Sequence, residues 1–168
     1  IIVSHVEEKI TSDVPAEVVM SLAEQKAVDV AKEMPEGTVI LGSDTVVAAD
    51  GKILGKPKSH EEAYEMIRRL AGRSHQVYTG VCLVKKGPEG EADTVVSFYD
   101  ETDVNVSPMT EKEIREYADS EEPMDKAGSY AVQGFFARYI DGLKGSYANV
   151  MGLPVHLVYQ ELKKLGAL

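Results

Sequence analysis

"VILGSDTVVAADGKILGKP", residues 39 to 57, begins as a run of β-branched and small residues with the make-up of a buried strand. Two polar residues, Asp44 and Thr45, interrupt it near the middle. An ionised carboxylate in such a run is costly unless something pairs with it or it coordinates an ion, so Asp44 reads as a working group. The Asp50-Gly51 pair that follows is a tight-turn signal, and it sends the chain back through Ile53 and Leu54 beside its own strand.

Outward from this hairpin, elements alternate with short connections. The opening "IIVSHV" reads as a strand remnant, and residues 15 to 34 read as a helix with proline in its first turn. After the hairpin, Ser59 and Glu62 form the sequence of a capping box, Ala63, Met66, Ile67, Leu70 and Ala71 keep helical spacing, and Gly72 closes the helix. Residues 75 to 86 and 93 to 106 are two strand-like runs around the turn-rich "KGPEGE", expected to pair as an antiparallel hairpin. Thr110 and Glu113 cap a short helix through Tyr117, and Pro154 opens a last helix that ends near Gly166. This order predicts an α/β fold with a mixed twisted sheet flanked by helices.

With 168 residues, 43% of them hydrophobic and 7% aromatic, the chain fits one domain spanning residues 1–168, drawn out into two lobes around a cleft. No apolar run approaches the roughly 18 residues that a membrane span needs, so no membrane partner and a soluble protein are expected. The lone cysteine, Cys82, lies within a strand-like run and is expected to pack in the core. With no disulfide framework, a cytoplasmic setting is the simplest. The net charge of −10 argues against nucleic acid as a partner, since that would require a basic surface. A small anionic ligand stays compatible if the few cations gather at one site or a divalent metal cation mediates. Because the chain starts with Ile1 and not methionine, a leading segment is expected to precede it.

Lys26 is the most informative residue of the first helix. Val19, Leu22, Ala23, Ala27 and Val30 form one apolar stripe, and Lys26 falls within it. Two readings are open. Its stem packs while its ammonium snorkels to water, or the ammonium points inward and meets an anion. Lys56, in "LGKP", is a solvated turn residue if taken alone. After the Asp50-Gly51 turn it would come within reach of Asp44, giving a carboxylate, a hydroxyl and two ammonium groups, the inventory for handling a phosphate with a metal ion. There is no G-x-x-x-x-G-K-[ST] or G-x-G-x-x-G loop. Neither is there a G-x-S-x-G elbow, and His5, His60, His75 and His156 show no ligand spacing.

The strings "LAEQKAVDVA", "LGSDTVV", "LGKP", "LAGRSHQVYTGV", "EPMDKAGSYAVQG" and "GSYANVMGLPV" occur in this order along essentially the whole chain, and together they resemble the Maf family of nucleoside triphosphate pyrophosphatases. The resemblance implies a fold similar to that of the inosine triphosphate pyrophosphatases and often a homodimer. It also implies metal-dependent hydrolysis, with Mg²⁺ or Mn²⁺, between the α and β phosphates of a nucleotide. Asp44 matches the family's catalytic aspartate, as general base or metal ligand. Glu8 matches a glutamate that helps to hold the metal or activate water, with Glu7 adjacent, and Lys26 and Lys56 match phosphate-binding lysines. Thr45 and Gln133 resemble the branch that acts on dTTP and UTP. A glutamine offers the donor and acceptor that the imide edge of thymine or uracil requires, whereas a carboxylate suits the donor-rich edge of a guanine. Taken by itself, Gln133 is a turn residue bonded to backbone. Arg73 and Thr79 are further candidates for the cleft, Arg73 having the alternative of favouring the preceding helix's dipole. The family's S-x-S-P-R-R segment, which binds the triphosphate, has no counterpart in these residues, in line with the expected leading segment. A nucleotide-binding regulatory module and a scaffold linked to cell division are the readings from other classes.

Overall fold

Strand β1 (Val39–Ala49) takes up the β-branched run, and β2 (Lys52–Leu54) returns antiparallel to it, with Val47 opposite Leu54, Ala48 opposite Ile53 and Ala49 opposite Lys52. The two residues between them, Asp50 and Gly51, have φ of 52° and 71°, as a two-residue primed turn demands. Asp50 tolerates this left-handed conformation better than most side chains do. Its carboxylate is also grasped from α2 and beyond: Arg69 and Arg73 each place a guanidinium nitrogen 3.2 Å from its Oδ2. Arg73, and then Arg69, hold this carboxyl below the usual range.

The computed structural model describes residues 1–168. The remaining elements are α1 (Pro15–Ala31), α2 (His60–Leu70), β3 (Ser74–Lys85), β4 (Thr94–Val106), α3 (Glu111–Ala118), β5 (Ile140–Lys144), α4 (Tyr147–Val150) and α5 (Val155–Lys164). The five strands form one sheet in the order β2-β1-β3-β4-β5, and helices pack on it, as the α/β reading predicts. β3 and β4 are neighbours, and β5 pairs antiparallel with β4. The chain divides into two compact units, one of Ile1–Asp44, Thr79–Asp100 and Gly152–Leu168, the other of Thr45–Tyr78 and Glu101–Met151. No helix is long and apolar enough to cross a membrane.

In the first unit α1 buries Val18, Val19, Leu22, Ala23, Ala27 and Ala31. Alternation along β3 gives the sheet two apolar faces. Cys82 and Val84 join Ala23, Ala27, Ala31 and Ile40 in one cluster, while Val81 and Leu83 join Val158 of α5 in another. Cys82 is thus a core residue, and burial pushes its thiol up. Helix α1 comes close enough that two strand positions must lack side chains. A Cβ at Gly42 would lie 2.4 Å from the Ala23 carbonyl oxygen, and one at Gly80 would lie 2.3 Å from the Val19 carbonyl group.

The second unit packs Ile67 and Leu70 of α2 and Ile114 and Tyr117 of α3 against Val47, Val77, Val104 and Val106 of the strands, with Tyr130 and Phe136 completing the cluster. Helix α3 has the full capping box: Thr110 Oγ1 accepts from Glu113 N at 3.3 Å and Glu113 Oε2 accepts from Thr110 N at 2.7 Å. Helix α2 has only half of the box expected there. Ser59 Oγ accepts from Glu62 N, but the Glu62 carboxylate turns instead to the backbone N–H of Lys58 at 2.8 Å.

Two further differences from expectation are local. Residues 1–11 are irregular and not a strand. Their backbone is tied to the side of α1, with His5 N donating to Asp29 at 3.1 Å and Lys9 N to Gln25 Oε1 at 2.9 Å. The stretch from residue 122 to 150 holds short 3₁₀ turns, β5 and α4, none of which is long enough to show a period.

His75 sits in the second core, 1% exposed, with Nε2 2.7 Å from Tyr130 Oη and Nδ1 without a partner. Burial lowers its pKa from 6.5 to about 4, against a weaker upward pull from Asp103.

Two measurements check this packing. Gly80→Ala is expected to lower the unfolding free energy by about 3 kcal/mol, at the upper end for an overpacked core, because backbone has to move; a loss below about 0.5 kcal/mol in denaturant titration would contradict the close approach of α1. Above pH 6.5 His75 is neutral folded or unfolded, and below it only the unfolded chain takes the proton until the folded pKa is reached. Stability should therefore fall by roughly 3 kcal/mol between pH 6.5 and 4, and His75→Gln should flatten that slope.

Candidate active site

Asp44 stands in the middle of β1, at the end of the first unit, with its side chain only 16% exposed. The residue that makes this tolerable is Lys26, which follows the third turn of α1 between the buried Ala23 and Ala27. The helix rests on Gly42, two residues before Asp44, so a side chain at this helical position reaches along β1. Its ammonium donates a hydrogen bond to Asp44 Oδ1 and lies 3.2 Å from Glu8 Oε1. Burial pulls the Lys26 pKa down, but the bonds and charges of Asp44 and Glu8 outweigh it and hold the group above its ordinary value. Of the two readings of Lys26, the inward one is the one observed. Ser43 secures the strand from the other side, its hydroxyl 3.1 Å from Gly80 O and 2.9 Å from Gly152 O. A pocket of about 360 Å³ opens beside Lys26, walled by Val30, Met34 and residues 38–43.

Two carboxylates therefore converge on one positive centre. No group of three or more histidine, cysteine, aspartate or glutamate side chains gathers anywhere as a ready metal cage. The pair nevertheless fits a hard divalent cation of the Mg²⁺ kind, which is held by one or two carboxylates and completes its shell with water and substrate phosphate oxygens. Glu8, 45% exposed on the irregular N-terminal segment, is the more adaptable of the two carboxylates. Asp44 is fixed by strand and ammonium.

The other residues singled out from sequence fall elsewhere. Thr45, Lys56, Arg73 and Gln133 belong to the second unit, and Thr79, fully buried on β3, belongs to the first. Thr45 is half-buried on β1. Lys56 is exposed just after β2, and its charge acts on Asp125. Arg73 is engaged with Asp50, clasping the β1–β2 turn, a structural use different from the helix-dipole role considered for it. Gln133 is exposed in a turn and lines a pocket of about 490 Å³ with Glu122, Gly134, Phe135 and Arg138. Sequence reasoning passed over Glu122, whose carboxylate accepts from the backbone N–H groups of Phe135 and Phe136 at 2.7 and 3.2 Å. An acidic residue in "DSEEPMD" carries no local sign of that bond.

A family model described as "Maf-like protein" matches residues 1–165. Among curated relatives, the dTTP/UTP pyrophosphatase of Lachnoclostridium phytofermentans is 46% identical over 164 residues, covering 98% of this chain and 83% of that protein. That of Agathobacter rectalis is 47% identical over 175 residues, covering 95% and 83%. That of Carboxydothermus hydrogenoformans is 46% identical over 166 residues, covering 99% and 87%. A match over nearly the whole chain, with Asp44, Lys26 and Glu8 all inside it, places this protein in the Maf-like family.

Proposed function

We propose that this chain hydrolyses dTTP and UTP to the monophosphate and pyrophosphate, with Asp44, Glu8 and Lys26 as its chemical centre. The observation that carries the reading is the Lys26 ammonium set between Asp44 and Glu8, in a chain whose relatives bear the name dTTP/UTP pyrophosphatase. A divalent cation, Mg²⁺ or Mn²⁺, held by Asp44 and Glu8 would supply neutralisation of the triphosphate's charge. Cytoplasmic residence and a homodimer belong to the same proposal, the former supported by a single buried cysteine and no disulfide.

Within this scheme Asp44 takes the proton of the water that attacks phosphorus. The Lys26 ammonium, bonded to Oδ1, orients that carboxylate for the task. With one N–H on Asp44 and one on Glu8, the Lys26 ammonium keeps a third to offer, and it can turn the second from Glu8 to a phosphate oxygen as charge builds on the departing pyrophosphate. Lys56 and Thr45 are the further substrate-binding residues of this reading, supported by their match to the family's phosphate-binding lysine and to its dTTP/UTP branch. Gln133 reads the base. In thymine and uracil N3–H is a donor beside an acceptor carbonyl, and one carboxamide satisfies both.

Asp44→Asn is expected to lower kcat for dTTP by about 10³-fold, the scale of a lost general base, with KM within about threefold of the parent. Pyrophosphate release from dTTP, UTP, CTP, GTP and 7-methyl-GTP, with Mg²⁺, Mn²⁺ or a chelator, provides the assay. Orthophosphate as the first product, or full turnover by Asp44→Asn, would refute the scheme; nucleotide binding without any product would favour a regulatory module.

A further inference from the structure

A glutamine does not by itself tell uracil from cytosine. Flipping the carboxamide exchanges donor and acceptor, and the flipped group pairs as well with cytosine's N3 acceptor and N4 amino donor. Selectivity for dTTP and UTP over CTP thus depends on where the chain sets Gln133 against the base, and the turn that carries it has to be held by something.

The second unit contains such a holder. Glu122 accepts three hydrogen bonds: from Phe135 N at 2.7 Å, from Phe136 N at 3.2 Å and from Tyr117 Oη at 3.0 Å. The first two cap the 3₁₀ turn Phe135–Tyr139, whose leading N–H groups would otherwise be unpaired. Between Gln133 and that turn lies Gly134, where a Cβ would fall 2.4 Å from the Glu122 carboxyl carbon, so the glycine is what lets the carboxylate in. On the other side of Gln133 the chain is anchored by Tyr130, bonded through its hydroxyl to the buried His75, and by Gly134 N donating to Ala131 O at 3.1 Å. Burial, and then the charge of Glu122, keep the Tyr117 phenol well above its ordinary range, so it stays a donor. With three donors on it, the Glu122 carboxylate has little acceptor capacity left for the exocyclic amine of a cytosine or guanine in the pocket it lines with Gln133.

We propose that Glu122 is a positioning residue for base selection, clamping the Gln133-Gly134-Phe135 turn so that Gln133 stands at a fixed place in its pocket, within reach of a pyrimidine imide edge. This rests on the reading of Gln133 as the base reader. Glu122 itself touches no reacting atom.

The test is a double-mutant cycle read in KM, kcat and the UTP-to-CTP ratio of kcat/KM, with Gln133→Ala and Glu122→Gln singly and together. Glu122→Gln sets an NH₂ against a donor, so it should raise KM for UTP and dTTP roughly tenfold, as for one lost charge-assisted bond, with kcat within about twofold. It should also reduce the UTP-to-CTP preference, and in the Gln133→Ala background it should add nothing. The same KM factor in both backgrounds would mean that Glu122 acts only through general stability, and no effect in the parent would equally overturn the proposal. If Gln133→Ala itself leaves the UTP-to-CTP ratio unchanged, the base-reading role fails and this inference with it, whatever Glu122 does. Should Glu122→Gln not fold, Tyr117→Phe removes a single donor and is expected to give a smaller change of the same kind; an unchanged ratio there would overturn the clamp.

Discussion

The depth at which α1 settles on the sheet decides whether an ammonium can meet a carboxylate in the middle of a strand. Gly42 and Gly80 offer bare backbone, and Ala23 and Ala27 offer methyl groups, so helix and sheet come nearly into backbone contact. Lys26 is between those two alanines. Were the helix held off by the width of a larger side chain, the ammonium would fall short of Asp44 and the half-buried carboxylate would lose this counter-charge. Small residues that carry no chemistry thus set the electrostatics of those that do.

The second unit solves a similar problem with different means. Its irregular stretch from residue 122 to 139 has no long helix or strand to satisfy its backbone, and polar side chains stand in. Glu122 takes two main-chain N–H groups and a phenol, and His75 Nε2 is hydrogen-bonded with the Tyr130 hydroxyl. Such side-chain bonds hold an irregular turn where no helix or strand ladder does. Apolar contact supplies the rest, with Phe136 fully buried among Tyr117, Tyr130 and Tyr139.

Elements with a strong local signal were legible in the sequence. The Asp50-Gly51 hairpin, the Thr110/Glu113 box and the two long strands each follow from a few neighbouring residues. So did Lys26 and Asp44, because each breaks an apolar pattern and a broken pattern is visible. Glu8 and Gln133 break none, and only likeness to a family singled them out. Where distant contacts decide, sequence reasoning stopped short. Glu62 abandons Ser59 for Lys58, Arg73 is drawn to Asp50 in a turn more than twenty residues away, and the first residues lie along α1 through Asp29 and Gln25. None of these choices leaves a periodic trace, since each settles a competition between partners that only the folded chain brings together.

The division of the chain after Asp44 has a consequence for how such a protein can diverge. The carboxylate and ammonium belong to one unit's packing, and the Gln133 turn with the Glu122 hydrogen bonds on it belongs to the other's. Substitutions that reshape the turn draw on a separate core, with Tyr117, Tyr130 and Phe136 at its centre, and leave Gly42, Gly80 and the alanines of α1 untouched. On the reading of Gln133 as the base reader proposed above, a lineage can exchange one nucleobase for another through changes in the second unit alone, inheriting its charged centre unaltered.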